Sequence, residues 1–380
     1  MASLDARLAA VDAELARPVE RRAGRQPVHT AYVPADRFGA ATPEEWGQQA
    51  LAALAEHAPD ATSLGVDDEV YRRLLAKLER EPVEDLRVDF EDGYGARPDD
   101  EEDADADRAG EALRTLSTAG SGVRIKSFEA VTRRRALRTL ERVVALTGGV
   151  PTGFVVTLPK VSAPEQVTAM AEVCEAVDRA VGGAPLRFEV QVETPRAVAR
   201  MAEIVAAAGP RCTGLHYGTY DYSAALGIAA AHQSLDHPAA DHAKSVMQVA
   251  AAPFGIPVVD GSSNVLPVGG REAVLGAWDL HRRLVTRSMT RGFYQGWDMH
   301  PAQLVSRYAA VFAFYREGLQ AAGARVRAYA DRVSGGVLDE PATARALTGY
   351  LLRGLDCGAL DEPEVAAVSG LDRAGLLALT

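Results

Sequence analysis

Apolar and polar residues alternate through RFEVQV, residues 187–192. Phe188, Val190 and Val192 take one face, and Glu189 and Gln191 take the other. The alternation stops at Glu193-Thr194-Pro195, where Thr can cap a helix and Pro suits its first turn. The pattern predicts a strand that ends in a carboxylate and passes straight into a helix. On it, Glu189 and Gln191 share the face of Glu193, and the apolar residues face outward against helices.

The same rhythm recurs along the chain. Further β-prone runs are HTAYVPA (29–35), LRVDFEDGYG (86–95), GVRIKSF (122–128), GFVVTLPK (153–160), CTGLHYGTYD (212–221), GIPVVDG (255–261) and FYQGWDMH (293–300), mostly separated by helical patterns. The acidic run at 99–107 leads into a helix over 108–116. Eight strands alternating with helices predict an α/β fold, a (β/α)8 TIM barrel, which takes about 250 residues. We place the barrel over residues 29–322. An N-terminal extension, 1–28, carries a helix with Leu4, Leu8, Val11 and Leu15 on one stripe, expected to pack on the outside of the fold. Residues 323–380 form a C-terminal tail of short helices. Two tail segments resemble each other, LDEPATARAL from Leu338 and LDEPEVAAV from Leu360, and both fit simple N-cap chemistry.

Composition narrows the class. Of 380 residues 47% are hydrophobic, enough for a large core, yet no run approaches the roughly 18 apolar residues of a membrane span. The net charge of −11, from 41 basic and 52 acidic residues, argues against a nucleic-acid surface, and no basic cluster with interleaved aromatics occurs. Cys174, Cys212 and Cys357 form no CxxC pair, which points to a reducing compartment without a thiolate zinc site. The first 22 residues lack the apolar centre of a secretory signal, so a cytoplasmic location is expected.

A barrel aligns all eight strand C-termini on one rim, where chemistry is built. Its expected residues are Asp89, Glu91 and Asp92; Arg124 and Lys126; Lys160; Glu193; Asp221; Asp260; and Asp298 with His300. Glu193 and Asp221 close consecutive strands and so stand side by side. Two hard oxygen ligands without a Cys or His partner suit Mg²⁺, or Mn²⁺, with water and substrate completing the shell. Helix capping or arginine pairing would explain the same carboxylates. Lys160 could serve as a Schiff-base nucleophile, but a structural or anion-pairing lysine is the simpler reading. His232, His237 and His242 recur at intervals of five, unlike a helical zinc pair, and read as a polar loop over the rim. Val268-Gly269-Gly270 gives no dinucleotide signal.

HTAYVPADRF, VDFEDGYG, VRIKSF, LPKV, QVETPRAV, GTYDYSAALG and GWDMHPAQ stand in the order and spacing of the citrate lyase β-subunit-like family, which includes malyl-CoA lyases within the HpcH/HpaI aldolase superfamily. The chain resembles that family from about residue 29 to 345. The resemblance implies a carbon–carbon lyase or aldolase acting on a small hydroxy- or oxo-acid through a metal-stabilised enolate, and a homo-oligomer, trimer or hexamer. It makes Glu193 and Asp221 the metal ligands and Arg124 the grip on the substrate carboxylate, a bidentate task suited to a guanidinium. Glu91 and Asp92 become an acidic pair near the metal that, with Lys160, lines the substrate site. Asp339 becomes the acid/base that a neighbouring subunit's tail supplies, although Asp361 has the same local context. Where the family carries Arg-Ser before LFVPG, associated with coenzyme A, this chain has His29-Thr30 before AYVPA, so an acyl-CoA substrate stays open.

Overall fold

A computed structural model describes residues 2–15, 24–116, 118–331 and 340–380. Its core is one eight-stranded parallel sheet in the order β7-β6-β5-β4-β3-β2-β1-β8. The strands are β1 (His29–Pro34), β2 (Asp85–Asp89), β3 (Gly120–Arg124), β4 (Phe154–Leu158), β5 (Arg187–Val192), β6 (Cys212–Tyr217), β7 (Val258–Val259) and β8 (Gly296–Asp298). Past β7, Asp260 N–H donates to the Gln295 carbonyl at 2.9 Å and Trp297 N–H to the Gly261 carbonyl at 3.4 Å, drawing the two ends of the sheet together. This is the predicted (β/α)8 barrel.

Side-chain alternation sorts each strand into a lumen face and a helix face. Phe188, Val190 and Val192 on β5 are fully buried in the apolar layer beneath the helices. Burying each such side chain contributes ~1.5–3 kcal/mol. Glu189 and Gln191 turn the other way, into the lumen, where Glu189 meets Arg87 and His216 and Gln191 meets Arg124. The orientation predicted for this strand is the one found.

Three expectations need correction. The N-terminal helix spans Ala2–Leu15, but Leu4, Leu8 and Val11 are about half exposed rather than packed on the barrel. The acidic run does not precede its helix: it is the helix, Asp99–Leu113. Four acids in its first turn favour the positive end of the helix dipole, and Arg135, Arg138 and Arg142 on the next helix pair with Asp103 and Asp107. Nor is the tail made only of short helices. One helix, Gln303–Ala330, runs unbroken across residue 322, and Pro341–Cys357 adds 17 helical residues.

The tail folds back on its own barrel. Gly318 lies so close to Tyr350 that a Cβ there would come within 2.1 Å of its hydroxyl, which donates to the Tyr315 carbonyl at 3.0 Å. Arg73 joins the barrel to the helix Glu362–Ser369 through Asp361 at 3.0 Å and Glu364 at 2.8 Å.

Candidate active site

The C-terminal rim gathers four carboxylates from three loops. Glu193 follows β5 directly and is buried, and its carboxylate is fixed by two donors: the backbone N–H of Lys160 to Oε1 at 2.7 Å and the Gln191 amide to Oε2. Gly218, just after β6, makes room for it, since a Cβ there would lie 2.5 Å from that of Glu193. Asp221 stands in the first turn of the helix Thr219–Ala225. Glu91 and Asp92 lie in the loop after β2, which Asp89 organises by accepting the N–H groups of Glu91 and Gly93, each at 2.9 Å.

One carboxylate oxygen from each of Asp92, Glu193 and Asp221 lies within 4.8 Å of the others, and this is the one such acid, His or Cys group among the described residues. Three oxygen ligands, two of them on exposed residues with room for water or substrate, fit a hard divalent cation such as Mg²⁺. Glu193 and Asp221 therefore come together as expected. An oxygen of Asp92 lies in the same group.

Lys160 reaches into this group. Its ammonium lies 2.5 Å from Asp221, 2.8 Å from Glu91 and 3.2 Å from Asp92. It is the one non-glycine among the described residues with a left-handed backbone, at φ 53°, a conformation that costs an ordinary residue free energy and clusters at functional sites. Burial works against the ammonium, but the surrounding carboxylates, Glu193 foremost, hold its pKa above the usual lysine value. A Schiff-base nucleophile needs the opposite shift. Burial also pushes Glu193 up to about 8 and Glu91 up to about 7, because one lysine does not compensate four acids in a partly desolvated site.

Arg124, closing β3, is buried and oriented by Asp89, with both guanidinium contacts at 2.6 Å. Its remaining nitrogen points to Gln191 at 3.3 Å and Glu91 at 3.6 Å, and its plane lies over the rings of Tyr32 and Trp297. Below it, Trp297 N–H donates to His216 Nδ1 at 3.0 Å, so the proton of the His216 ring sits on Nε2, facing Glu189 at 2.9 Å.

Other rim expectations resolve differently. Asp260 and Asp298 close their strands but point away from the lumen, because Val259 and Trp297 take the inward positions. Asp260 meets Lys244 and Ser288, and Asp298 meets His29 and Arg307. Lys126 turns to the Phe90 carbonyl and Glu102. His300 accepts the Ala302 N–H, and His237 caps the helix Pro238–Ala251. Asp361 caps its own helix and pairs with Arg73. Asp339 lies outside the described residues. Sequence patterning did not single out Gly218 or the organising role of Asp89, since nothing in their spacing separates them from ordinary strand-end residues.

A family described as a domain of unknown function, DUF6986, matches residues 8–380. No curated protein matches the chain. Among solved structures, a citrate lyase from Burkholderia xenovorans LB400 shares 20% identity over 93% of this chain and 99% of that one, with a TM-score of 0.65. The CitE protein of Mycobacterium tuberculosis, solved with magnesium, acetoacetate and coenzyme A, shares 22% identity over 88% and 99%, with a TM-score of 0.53. A further CitE structure, with magnesium and pyruvate, shares 21% identity over 87% and 99%, at 0.50. At these identities the likeness establishes a common fold.

Proposed function

The chain belongs to the DUF6986 family, and we propose that it is a Mg²⁺-dependent carbon–carbon lyase or aldolase acting on a small hydroxy- or oxo-carboxylic acid. The observation that carries this reading is the convergence of Asp92, Glu193 and Asp221 on one point of a barrel rim. The fold neighbours solved with magnesium and acetoacetate or pyruvate support it. When bound, Mg²⁺ supplies a Lewis acid for the substrate's carboxylate and adjacent oxygen, and offsets the negative charge that develops as the carbon–carbon bond breaks.

This chain's residues supply the rest. Glu193, fixed by Gln191 and the Lys160 N–H, is the buried anchor of the ligand set, and Asp221 and Asp92 close it from the exposed side. Arg124 presents its remaining nitrogen, Nη1, to the substrate carboxylate, because Asp89 occupies the Nε and Nη2 edge. Trp297 and Tyr32 form an aromatic floor beneath the guanidinium. Asp339 is proposed as the acid/base that moves the hydroxyl proton, since Asp361, its local counterpart, is committed to capping. The same reading makes the chain a cytoplasmic homo-oligomer and leaves room for an acyl-CoA substrate.

The test is a panel of 3-hydroxy and 2-oxo acids, free and as CoA thioesters, assayed for cleavage with EDTA and with Mg²⁺ restored. Metal-dependent release of a keto or acetyl fragment is expected. Turnover that survives EDTA and is trapped by borohydride on Lys160 would favour the Schiff-base reading instead. Tight binding of an acid without turnover of any panel member would point to a non-catalytic barrel.

A further inference from the structure

The acid cluster already contains a cation of the chain's own. Through its ammonium Lys160 touches Asp221, Glu91 and Asp92, and through its backbone N–H it touches Glu193. Two of the three carboxylates that converge as a metal site, Asp92 and Asp221, are ones the ammonium bridges. Mg²⁺ binds oxygen at about 2.0–2.1 Å and demands a regular shell, so ion and ammonium compete for the same lone pairs. We propose that Lys160 is a built-in placeholder: its ammonium holds the rim carboxylates together and gives way, toward Glu91, when a divalent cation takes its place. The inference rests on the metal reading above.

The choice of residue fits exchange. Only four of the 41 basic residues are lysines. Lys77, Lys126 and Lys244 sit in ion pairs with side chains 2%, 14% and 2% exposed, whereas that of Lys160 is 27% exposed and has room to leave. An ammonium on a flexible stem lets go more readily than the planar fork of arginine. The left-handed backbone separates two tasks, because the N–H stays on Glu193 while the side chain swings. Glu91, which is outside the convergent set, remains to receive the displaced charge.

Mg²⁺ titration by calorimetry of the full chain, Lys160→Met and Glu193→Gln tests the exchange. Lys160→Met is expected to bind Mg²⁺ at least about tenfold more tightly, as removal of a unit charge a few ångströms from the ligand oxygens implies, while Glu193→Gln loses binding. Unchanged or weaker binding in Lys160→Met, with binding lost in Glu193→Gln, overturns the placeholder and leaves the metal reading standing. Undiminished binding in Glu193→Gln overturns the metal reading itself. Because Lys160→Met can fail to fold, the wild-type chain is also labelled with acetic anhydride and read by mass spectrometry. Mg²⁺ is expected to raise labelling of Lys160 several-fold relative to buried Lys244, and labelling that stays level or falls overturns the proposal.

Discussion

The lumen of this barrel and its rim both bury charge, but on different terms. Inside, Arg87 is held between Asp85 at 2.5 Å and Glu189 at 2.9 Å, and Glu189 also receives His216. On the helix side of β8, Arg307 and His29 share Asp298 in the same way. At the rim, one ammonium faces Glu91, Asp92, Asp221 and, through its charge, Glu193. Acids held by buried arginines make a rigid wall, whereas four acids gathered around one lysine make a site that gains by taking up a cation. The acidity of the rim therefore reads as affinity, and the acids of the wall read as structure.

The largest expected effect follows from removing the rim's anchor. Glu193→Gln keeps the shape but not the charge, and metal-dependent turnover should fall at least about 1000-fold, the scale of losing a main electrostatic stabiliser. Its metal-free melting temperature should hold or rise, since a costly buried carboxylate is gone. Steady-state kinetics and calorimetric melting of the same preparation check both halves. A large loss of stability would put Glu193 with the wall and break the comparison.

The wall should respond in reverse. Arg87→Met strands Asp85 and Glu189, each buried, and breaking a buried pair in this way costs ~3–5 kcal/mol. Urea unfolding should show that loss. Mg²⁺ affinity, measured where the variant remains folded, should change little, because Arg87 contacts none of the rim carboxylates.

The contrast also accounts for what was legible in the sequence. The alternation in 187–192 announces which side of β5 faces the lumen, because period 2 is local and one face must be apolar. Glu193 follows β5 directly, as its strand end predicts, whereas Asp221 reaches the same rim from the first turn of the helix after β6 rather than from the strand itself. Asp260 and Asp298 show where that reasoning fails: closing a strand says nothing of which way the side chain turns, and a shift of one residue sends it to the helix side. Arg307 and Lys244, their partners, come from helices nine and sixteen residues away. For Asp92 the sequence supports only a place near the metal, since no periodicity governs where a loop carboxylate ends up. The acidic run at 99–107 carried a helix signal that its charge obscured, and its arginine partners lie more than thirty residues on.

The smallest effect sharpens the comparison most, because the two regions should titrate in opposite senses. On the helix side of β8, His281 of the helix Arg271–Thr290 lies beside Arg307 and Asp298, and burial, reinforced by the Arg307 charge, drives it from 6.5 down to about 4. Unfolded histidine then binds the proton first, so this stability is complete above 6.5 and is lost as pH falls through about 4. At the rim, burial raises Glu91 from 4.5 to about 7 and Glu193 to about 8. A carboxyl with a raised folded value contributes stability that is complete below 4.5 and is lost as pH rises through 7 and 8. The two windows overlap between pH 4.5 and 6.5, where two carboxyls outweigh one imidazole, so on these groups metal-free protein should melt highest near pH 4.5 and lose stability as pH rises. Mg²⁺, which binds the ionised carboxylates, should lift the alkaline limb and leave the acid limb in place. Melting curves from pH 4 to 9 with EDTA and with Mg²⁺ decide it. A metal that raised both limbs equally would mean that wall and rim are one electrostatic unit rather than two.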